Sequence, residues 1–509
     1  MKIPINLLKV IEKLEKSKFE VFVVGGSVRD LLLEKKPKDW DLTTSAKPEE
    51  LLKIFPEAKY KNEFGTVLLP EKYIENAIIK EKGTFFEITT YRKEGRYQDK
   101  RRPDEVIFTD KLEEDLKRRD FTINALAMGF LDVDKLLKSP VEEEFFDISI
   151  KEVQVKLVDV FKGREDLKNK IIRTVGLAEN RIEEDALRMM RAVRFRAQLG
   201  FEIEKNTLQA IKANTKNLKY ISQERIRDEL EKIILSENPT KGIELLVETG
   251  LMKWIIPELN ETIGVEQNYH HYHGPYNTVY KHLMASLMKC PSNKIEVRMA
   301  AFLHDIGKPT TKQGSGYNSS FHNHEYAGAR IVKKVMERLK FSREVIDKTV
   351  LLVKNHMFYY NVDEVGEAGV RKVIRKVGLE NINDLIDVRI ADRLGSGVPK
   401  AIPYKLRHFK YMVEKVSQDP ISVKQLKIDG KDLMEELKIK PGPQIGTILK
   451  VLLAEVIENP RLNKKELLLK KAQKLNQKNL GELKKEAQNK IKETQKKEEK
   501  EIKKKYYVK

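Results

Sequence analysis

The chain has 509 residues, of which 98 are Lys or Arg and 78 are Asp or Glu, so its formal net charge is +20. This length predicts several domains, and no segment has the pattern of a secretory signal or a transmembrane span. The single cysteine, Cys290, excludes an intramolecular disulfide framework and is expected to be a small buried hydrophobe in a cytoplasmic protein. The positive charge favours a phosphate-rich polymer as partner.

The first predicted elements are a buried strand, a glycine turn and a helix. Phe19 to Val24 is apolar and rich in β-branched residues, Gly25 and Gly26 indicate a turn, and Val28 to Leu33 has helical spacing. Such a turn lets backbone N–H groups and a helix N-terminus face a phosphate, because a side chain at either glycine would block the approach. Arg29 would add a cation beside it.

Two acidic residues, Asp39 and Asp41, follow this turn. On a strand, residues two apart project their carboxylates from the same face. Carboxylates bind Mg²⁺, and two such ions roughly 3.5 to 4 Å apart can activate an attacking hydroxyl and stabilise a leaving pyrophosphate. A solvated turn with two acids is the alternative. The glycine turn about ten residues upstream favours the metal site.

The next predicted strand, Thr84 to Thr90, carries Glu87 and is followed by a polar stretch from Tyr91 to Pro103. Glu87 is either a third carboxylate of the metal site or an acid on an edge strand. The sequence leaves both open.

Arg118, Arg119 and Asp120 precede an apolar run that is predicted to be a helix, with Thr122 as a capping residue. Arg119 is a candidate for holding a triphosphate. The alternative is that the neighbouring arginines form surface ion pairs.

A long helix is predicted over Glu183 to Phe201, with Asp185, Arg188, Arg191 and Arg194 at steps of three residues. Each step turns about 60° around a helix, so Asp185 and Arg188 can reach one base edge whereas Arg194 is expected to face away. An Asp oxygen that accepts from an exocyclic amine and an Arg that donates to the ring nitrogen would select C and A over U and G. The alternative is an ordinary i,i+3 salt bridge.

Three motifs in this order resemble the class II tRNA nucleotidyltransferases, the family of CCA-adding enzymes and poly(A) polymerases. They are G-G-S-V-R-D with D-W-D, then L-K-R-R-D-F-T-I-N-A-L-A, then E-D-A-L-R-M-M-R-A-V-R-F. The resemblance implies that Asp39 and Asp41 bind Mg²⁺ and that Glu87 joins the catalytic carboxylates. The nucleotide-binding residues that it implies are Gly26, Arg29, Arg119, Asp185, Arg188, Arg191 and Arg194.

The resemblance also implies an α+β fold: a polymerase β-like head with a small mixed sheet, followed by all-α parts. We expect a catalytic head at 1–160, a helical neck at 161–265, an HD-type helical domain at 266–400, a helical body and tail at 401–460, and a Lys-rich extension at 461–509. Residues Tyr91 to Arg102 are similar to the flexible loop used in switching from C to A, which argues against a CC-only enzyme. Glu63 to Val67 resembles CCA-adding enzymes more than poly(A) polymerases, and the acidic insert Leu131 to Val155 departs from the family.

Eight of the nine histidines lie between His270 and His356. With nearby acids they resemble an HD-type phosphohydrolase module, in which imidazoles and carboxylates on facing helices bind divalent metal and activate water. A purely structural module is the alternative. His270, His271 and His273 are expected to make surface contacts rather than ligate metal. The residues of the possible HD metal site are His282, His304, Asp305, His324, His356 and Asp392.

The C-terminal part is basic. Residues 461–509 contain 18 Lys or Arg and 7 Glu, which is typical of a solvated helix, a disordered tail or an RNA-gripping extension. Upstream, Lys427 to Ala454 contains Gly/Pro turns that open helices and is a candidate contact for the tRNA body.

Together these patterns predict template-independent addition of CCA to the tRNA 3′ end from CTP and ATP, with Mg²⁺ and release of pyrophosphate. Affinity for the tRNA acceptor arm is expected to come from basic contacts to its backbone. Three alternatives remain: an enzyme that adds only A, an HD-type phosphohydrolase as the main activity, and a noncatalytic RNA-binding protein. The sequence does not indicate an oligomeric state.

Overall fold

The structure is a computed structural model, and the residues that it describes are 2–62, 65–70, 85–95, 105–138, 147–149, 154–268, 277–397, 402–417, 426–458, 460–477, 479, 481–482, 485, 489 and 499–508. Several predicted features lie outside this set. They are His270, His271 and His273, Glu63 and Phe64, residues 96–104 of the polar stretch and much of the acidic insert.

The N-terminal part is built on a seven-stranded mixed sheet in the order β11-β9-β2-β3-β6-β5-β4. Only β3 and β6 run parallel, and every other neighbouring pair in this sheet is antiparallel. The predicted α+β class and mixed sheet are confirmed. The strands are β2 Val21–Val24, β3 Asp41–Thr44, β4 Lys59–Asn62, β5 Thr66–Pro70, β6 Phe85–Thr90, β9 Ala127–Phe130 and β11 Val155–Val158.

The predicted strand, turn and helix at the start of the chain are present. Strand β2 is buried along its whole length, Gly25 turns the chain at φ 72°, and helix α2 begins at Gly26. A φ of this sign favours glycine because a Cβ would crowd the backbone.

The helix predicted after Asp120 is wrong. The chain makes one 3₁₀ turn at Thr122–Asn124 and then enters β9, which pairs with both β2 and β11 and is buried throughout. An apolar run buried on both faces of a central strand has no alternation to distinguish it from a buried helix. Thr122 caps no helix; its hydroxyl donates to Asp166 at 2.6 Å.

Shorter elements surround the sheet. Three two-stranded ladders pair β1 with β10, β7 with β8 and β12 with β13. Their strands are β1 Lys2–Pro4, β7 Arg92–Glu94, β8 Val106–Phe108, β10 Asp147–Ser149, β12 Ile171–Ile172 and β13 Glu202–Ile203. The helices of this part are α1 Ile5–Lys16, α2 Gly26–Leu32, α3 Pro48–Ile54, α4 Leu112–Lys117, α5 Val133–Lys138 and α6 Gly163–Asn169.

Helices follow the sheet for the rest of the described chain. Helix α8 packs against α10 and α11, and its buried residues continue the core of the sheet. The neck helices are α7 Ala178–Glu184, α8 Leu187–Leu199, α9 Lys205–Asn214, α10 Gln223–Ile234, α11 Pro239–Thr249, α12 Met252–Ile255 and α13 Pro257–Asn260.

A further helical group contains the histidine cluster. Helix α14 packs against α20, and α17 against α18. The helices are α14 Val279–Lys289, α15 Ile295–Leu303, α16 Lys308–Thr311, α17 His324–Arg338, α18 Arg343–Asn355, α19 Glu367–Val377 and α20 Ile382–Gly395.

The C-terminal helices are α21 Tyr404–Ser417, α22 Gly430–Leu437, α23 Pro443–Glu458 and α24 Lys465–Asn476. Helices α22 to α24 enclose a hydrophobic cluster separate from the main core. The last described stretch, 499–508, is docked on α21: Glu499 accepts from the Tyr411 hydroxyl at 2.6 Å, and Ile502 is buried. This end of the Lys-rich extension is therefore anchored to the body.

Within the described residues, no helix combines the length and apolarity that crossing a membrane requires.

Candidate active site

One cleft of about 980 Å³ lies between the sheet and the neck helices. Every residue that the sequence assigned to catalysis or nucleotide binding in this half of the chain lines it. They are Gly26, Arg29, Asp39, Asp41, Glu87, Arg119, Asp185, Arg188, Arg191 and Arg194.

Three carboxylates form the acidic end of the cleft. Asp41 is the first residue of β3 and stands opposite Glu87 in the parallel pairing with β6. Asp39 lies before the strand and is exposed, so the prediction that both aspartates lie on one strand is wrong. The buried Ser27 positions them instead: its hydroxyl donates to the Asp39 carbonyl at 3.0 Å and accepts from the Asp41 N–H at 3.2 Å.

The electrostatics of this end fit a cation. Burial raises the pKa of Asp41, and the neighbouring Glu87 and Asp39 raise it further, against the opposing effect of Arg119 and Lys61. Glu87 is ion-paired with Lys61. A buried carboxylate whose acidic neighbours destabilise its charge is stabilised by a divalent ion.

Because Gly25 has no side chain, the Arg119 guanidinium can lie close to the Asp41 carboxylate. A Cβ at this position would lie 3.1 Å from Arg119 Nη1 and 3.8 Å from Asp41 Oδ2. A side chain here would therefore fill the space between the guanidinium and the carboxylate.

Arg29 and Arg119 provide positive charge in the cleft. Arg29 donates to Asn124 at 2.8 Å and to Asp30 at 2.7 and 2.8 Å, and its guanidinium lies 5.1 Å from the centre of the Phe195 ring. Arg119 lies 3.2 Å from a carboxylate oxygen of Asp115, while its buried Nε has no hydrogen-bond partner in the described structure.

Arg118 and Arg119 line the cleft and are both ion-paired with Asp115. It is fully buried and is bound by both Arg118 and Arg119. Burial alone would raise the pKa of Asp115, but the two guanidinium groups outweigh burial and hold the pKa below its usual range. Asp115 was not among the residues predicted from the sequence. It lies four positions before Arg119, about one helical turn.

The single helix predicted over 183–201 is wrong. Helix α7 ends at Glu184, Asp185 is extended at φ −135° and ψ 105°, and α8 begins at Leu187. The Asp185 carboxylate accepts from the Leu187 N–H at 3.0 Å, and an Asp that binds a nearby N–H favours a helix start over a helix interior. Because Asp185 is not in the helix, it forms no i,i+3 salt bridge with Arg188.

Asp185 and Arg188 have separate partners in the structure. Arg225 donates to Asp185 at 2.8 Å. Arg188 is only 7% exposed; its guanidinium contacts Glu184 and donates to the carbonyls of Arg181 at 2.7 Å and Arg118 at 3.3 Å. Both residues line the cleft, and each is held by protein partners other than the other.

Arg191 is paired with Asp120. Arg191 Nε donates to Asp120 at 2.7 Å, and Asp120 also accepts from the Phe121 N–H and from Asn124. Burial would raise the pKa of Asp120, but Arg191 and the hydrogen bonds lower it to about 2.

Arg194 lines the cleft, so the expectation that it faces away is wrong. Its guanidinium lies 4.3 Å from the Phe195 ring centre and its Nε 3.2 Å from Glu229 Oε2. Burial, with the nearby Arg191, lowers the pKa of Arg194 to about 10.

Several lining residues were missed from the sequence. Arg225 and Lys232 come from α10, and Lys61 comes from β4. Each lies far along the chain from the residues that it faces, so no local pattern identifies it.

A second cluster gathers all six predicted residues of the HD site in the helical part. His282, His304, Asp305, His324, His356 and Asp392 are all buried. The Nε2 atoms of His282 and His304 are 3.0 Å apart, and His282 Nε2 lies 3.3 Å from Asp392 Oδ1. His324 Nε2 lies 3.1 Å from Asp305 Oδ1, with His356 Nε2 3.7 Å from the same oxygen.

Three histidines of this cluster are oriented by backbone carbonyls that precede them in the chain. The Nδ1 atoms of His304, His324 and His356 lie 2.9, 2.8 and 2.7 Å from backbone carbonyls three residues earlier. A carbonyl only accepts, so each neutral imidazole carries its proton on Nδ1 and directs the Nε2 lone pair into the cluster. Such donors with two carboxylates fit a divalent metal ion, with Asp305 shared between two groups of ligand atoms.

Two cations that the sequence did not single out adjoin the acids of this cluster. The ammonium of the buried Lys308 lies 2.6 Å from Asp305 Oδ2, and Arg389 donates to Asp392 at 2.7 Å. Burial would raise the pKa of Asp305, but Lys308 and His304 hold it well below its usual range. The Asp305 carboxylate is thus kept ionised, which is the form that can bind a metal ion.

Comparisons with known proteins agree with this arrangement. Residues 21–173 match the family model of the Poly A polymerase head domain, 200–263 the Probable RNA and SrmB-binding site of polymerase A, and 268–396 the HD domain. The chain is 34% identical over 472 residues to a CCA-adding enzyme of Ligilactobacillus salivarius (strain UCC118), covering 92% of this chain and 96% of that protein. The chain belongs to the family of CCA-adding enzymes.

Other members of the family give the same result. A CCA-adding enzyme of Enterococcus faecalis (strain ATCC 700802 / V583) is 32% identical over 476 residues, with 91% of this chain and 94% of that enzyme covered. The crystal structure of the Bacillus stearothermophilus CCA-adding enzyme in complex with CTP is similar at a TM-score of 0.55 and 28% identity, covering 92% of this chain and 97% of that one. Membership of the CCA-adding enzymes makes this chain a tRNA nucleotidyltransferase.

Proposed function

We propose that this chain adds C, C and A to the 3′ end of tRNA from CTP and ATP and releases pyrophosphate. The observation that carries the proposal is that one cleft is lined by three carboxylates (Asp39, Asp41 and Glu87), by Arg29 and Arg119, and by the four residues proposed to select the base. The crystal structure of the Bacillus stearothermophilus relative holds CTP, one of the two proposed substrates.

The family implies dependence on a divalent metal, and we propose Mg²⁺ held by Asp39 and Asp41, with Glu87 as a third carboxylate. When bound, this ion supplies activation of the terminal RNA hydroxyl and stabilisation of the leaving pyrophosphate. Ser27 fixes the backbone at both aspartates, so that the two carboxylates are presented together. Arg29 and Arg119 face the triphosphate as donors.

Base selection is proposed to rest on Asp185 as acceptor and Arg188 as donor, with Arg191 and Arg194 completing the cationic wall. An ionised carboxylate only accepts and a guanidinium only donates. This pair therefore suits the amine and adjacent acceptor nitrogen of cytosine and adenine. In the structure, three of the five N–H donors of Arg188 are bonded, to Glu184 and to the carbonyls of Arg181 and Arg118. The base must therefore bind the other donors or replace one of these partners.

The partner is proposed to be the tRNA acceptor arm, bound through its phosphates by the basic chain.

The proposed domains are a head at 1–160, a neck at 161–265, an HD-type domain at 266–400, a body at 401–460 and an extension at 461–509. The proposed place of action is the cytoplasm, which is consistent with an enzyme that acts on tRNA.

The decisive experiment uses three tRNAs, ending before the first C, after one C and after both. Each is incubated with CTP, with ATP and with both nucleotides. Completion of the first tRNA by both nucleotides supports full CCA addition. Extension of only the third tRNA would replace the proposal with A addition alone.

The HD cluster supports a second activity, metal-dependent hydrolysis of phosphoesters. This proposal rests on the meeting of four imidazoles and two carboxylates in one buried cluster. They come from α14, the end of α15, α17, the end of α18 and α20. Hydrolysis of bis(p-nitrophenyl) phosphate with Mn²⁺ or Ni²⁺ should be lost in His304→Ala and retained in the Asp39→Ala/Asp41→Ala double variant. If the double variant lost hydrolysis and His304→Ala kept it, the HD cluster would not be the hydrolytic site.

A further inference from the structure

The carboxylate of Asp185 is held by two different parts of the neck. Its Oδ1 accepts from the Leu187 N–H at 3.0 Å, and its Oδ2 accepts from Arg225 Nη2 at 2.8 Å. Arg225 lies in the first turn of α10, about forty positions further along the chain, and lines the same cleft. Both carboxylate oxygens are therefore fixed by a donor outside the substrate.

Helix α10 gives Arg225 a rigid base. Ile226, Leu230 and Ile233 are buried on its apolar face, and the helix packs against α8. Arg225 and Lys232 line the cleft from the polar face, with Glu229 between them facing Arg194. The position of the Arg225 guanidinium is thus set by the packing of the neck.

We propose that Arg225 is a positioning residue for base selection, one that fixes the Asp185 carboxylate in the orientation that accepts the exocyclic amine of C or A. This inference rests on the proposed function. Oδ1 accepts from the Leu187 N–H and, at 3.5 Å, from Arg225 Nη1, whereas Oδ2 accepts only from Arg225 Nη2. Each carboxylate oxygen has two acceptor sites, so Oδ2 keeps one for the base. Uracil and guanine present a carbonyl at that edge, which an ionised carboxylate cannot bind.

Loss of Arg225 leaves the side chain of Asp185 held by a single backbone N–H. The carboxylate then rotates about its own bonds, and the contact with the amine loses the fixed geometry on which discrimination depends. A residue that merely added positive charge to the cleft would affect the binding of all four nucleoside triphosphates to the same extent. The ratio of kcat/KM between a correct and a wrong nucleotide therefore distinguishes a positioning residue from one that only adds positive charge.

The test compares Arg225→Gln and Arg225→Lys with Arg227→Gln in the full-length protein. Arg227 lies on the same helix but binds Asp228 and the Lys340 carbonyl, and it does not line the cleft. kcat and KM are measured for CTP and UTP on tRNA lacking CCA, and for ATP and GTP on tRNA ending in CC. We expect Arg225→Gln to lower the CTP to UTP ratio of kcat/KM by roughly tenfold or more, Arg225→Lys to restore part of it, and Arg227→Gln to keep the wild-type ratio.

Asp185→Ala is measured in parallel. If Asp185→Ala loses discrimination while Arg225→Gln keeps the wild-type ratio, the role of Arg225 is overturned and the proposed function stands. If Asp185→Ala itself keeps the ratio, the base-selecting role of Asp185 fails, and the inference about Arg225 fails with it. Thermal melting checks folding; should Arg225→Gln not fold, Arg225→Lys decides, since a lowered ratio supports the inference and an unchanged ratio overturns it.

Discussion

Asp41 and Glu87 stand directly opposite each other on the parallel strands β3 and β6. In a parallel pair, residues in register project to the same face, so two carboxylates far apart in the chain lie side by side. Asp39 adds a third acid from the loop before β3. The burial of Asp41 and the repulsion from its acidic neighbours raise its pKa, and a bound cation would relieve both.

Replacing Asp41 by Asn is expected to reduce CTP incorporation into tRNA by more than about a hundredfold, because even the outer-shell partners of a metal ligand cost roughly 10- to 100-fold when changed. Asp347→Asn, which removes an exposed acid paired with Arg343 on α18, should leave the rate unchanged. The measurement is incorporation of labelled CTP at saturating Mg²⁺, with tRNA binding followed separately. A near-normal rate in Asp41→Asn would remove this residue from the proposed metal site.

Ser27→Ala tests the backbone bridge between the two aspartates. Loss of two hydrogen bonds to the buried hydroxyl should lower the free energy of unfolding by about 1 to 2 kcal/mol. Because the acids lose their fixed spacing, the Mg²⁺ concentration for half-maximal activity should rise by about tenfold or more.

Ser45→Ala is the matched control for Ser27→Ala. The Ser45 hydroxyl accepts from the Glu20 N–H at 3.0 Å, and Ser45 does not line the cleft. Because Ser45 is half-buried and accepts one hydrogen bond rather than two, its loss should cost less stability, about 0.5 to 1 kcal/mol, and should leave the Mg²⁺ requirement unchanged. Equal Mg²⁺ titrations for the two variants would show that Ser27 has no special role at the metal site.

Asp120→Asn tests the pair with Arg191. The pKa of Asp120 is lowered to about 2 in the folded protein, so the ionised form stabilises the fold above the ordinary Asp value and this contribution disappears as the pH falls from about 4 to about 2. We expect the variant to be less stable by on the order of 2 to 3 kcal/mol at neutral pH. Urea unfolding across the acid range should show the two proteins converging, and a difference that stays constant with pH would contradict the assignment.

His304→Ala is expected to remove the metal from the HD cluster, because His304 is at the centre of the ligand group with His282 and Asp305. Metal content after equilibration with Mn²⁺ and gel filtration should fall by at least one ion per chain relative to the wild type. His408→Ala is the control, since the His408 ring contacts Tyr360 and lies outside the ligand groups. Undiminished metal content in His304→Ala would indicate that this cluster binds no metal.

The sequence by itself determined the local parts of both sites. The glycine turn after β2, the spacing of Asp39 and Asp41 and the arginines of α8 are short-range patterns, because each depends on neighbours within a turn or a strand. The HD residues are spread from His282 to Asp392 and were predicted from their order along the chain. The predicted residues of the two sites lie in the cleft or the histidine cluster, including Arg194, which the helix geometry had predicted to face away.

Only the tertiary structure decided which of these side chains meet and which groups they pair with. The pairing of β3 with β6 placed Glu87 beside Asp41, and the burial of Ala127 to Phe130 between two strands turned a predicted helix into β9. The ion pair of Arg225 with Asp185 depends on the packing of α10 against α8, which brings together two residues forty positions apart. Pairing and packing join residues distant in the chain, and their free energy outweighs the weak local preferences that a sequence pattern records.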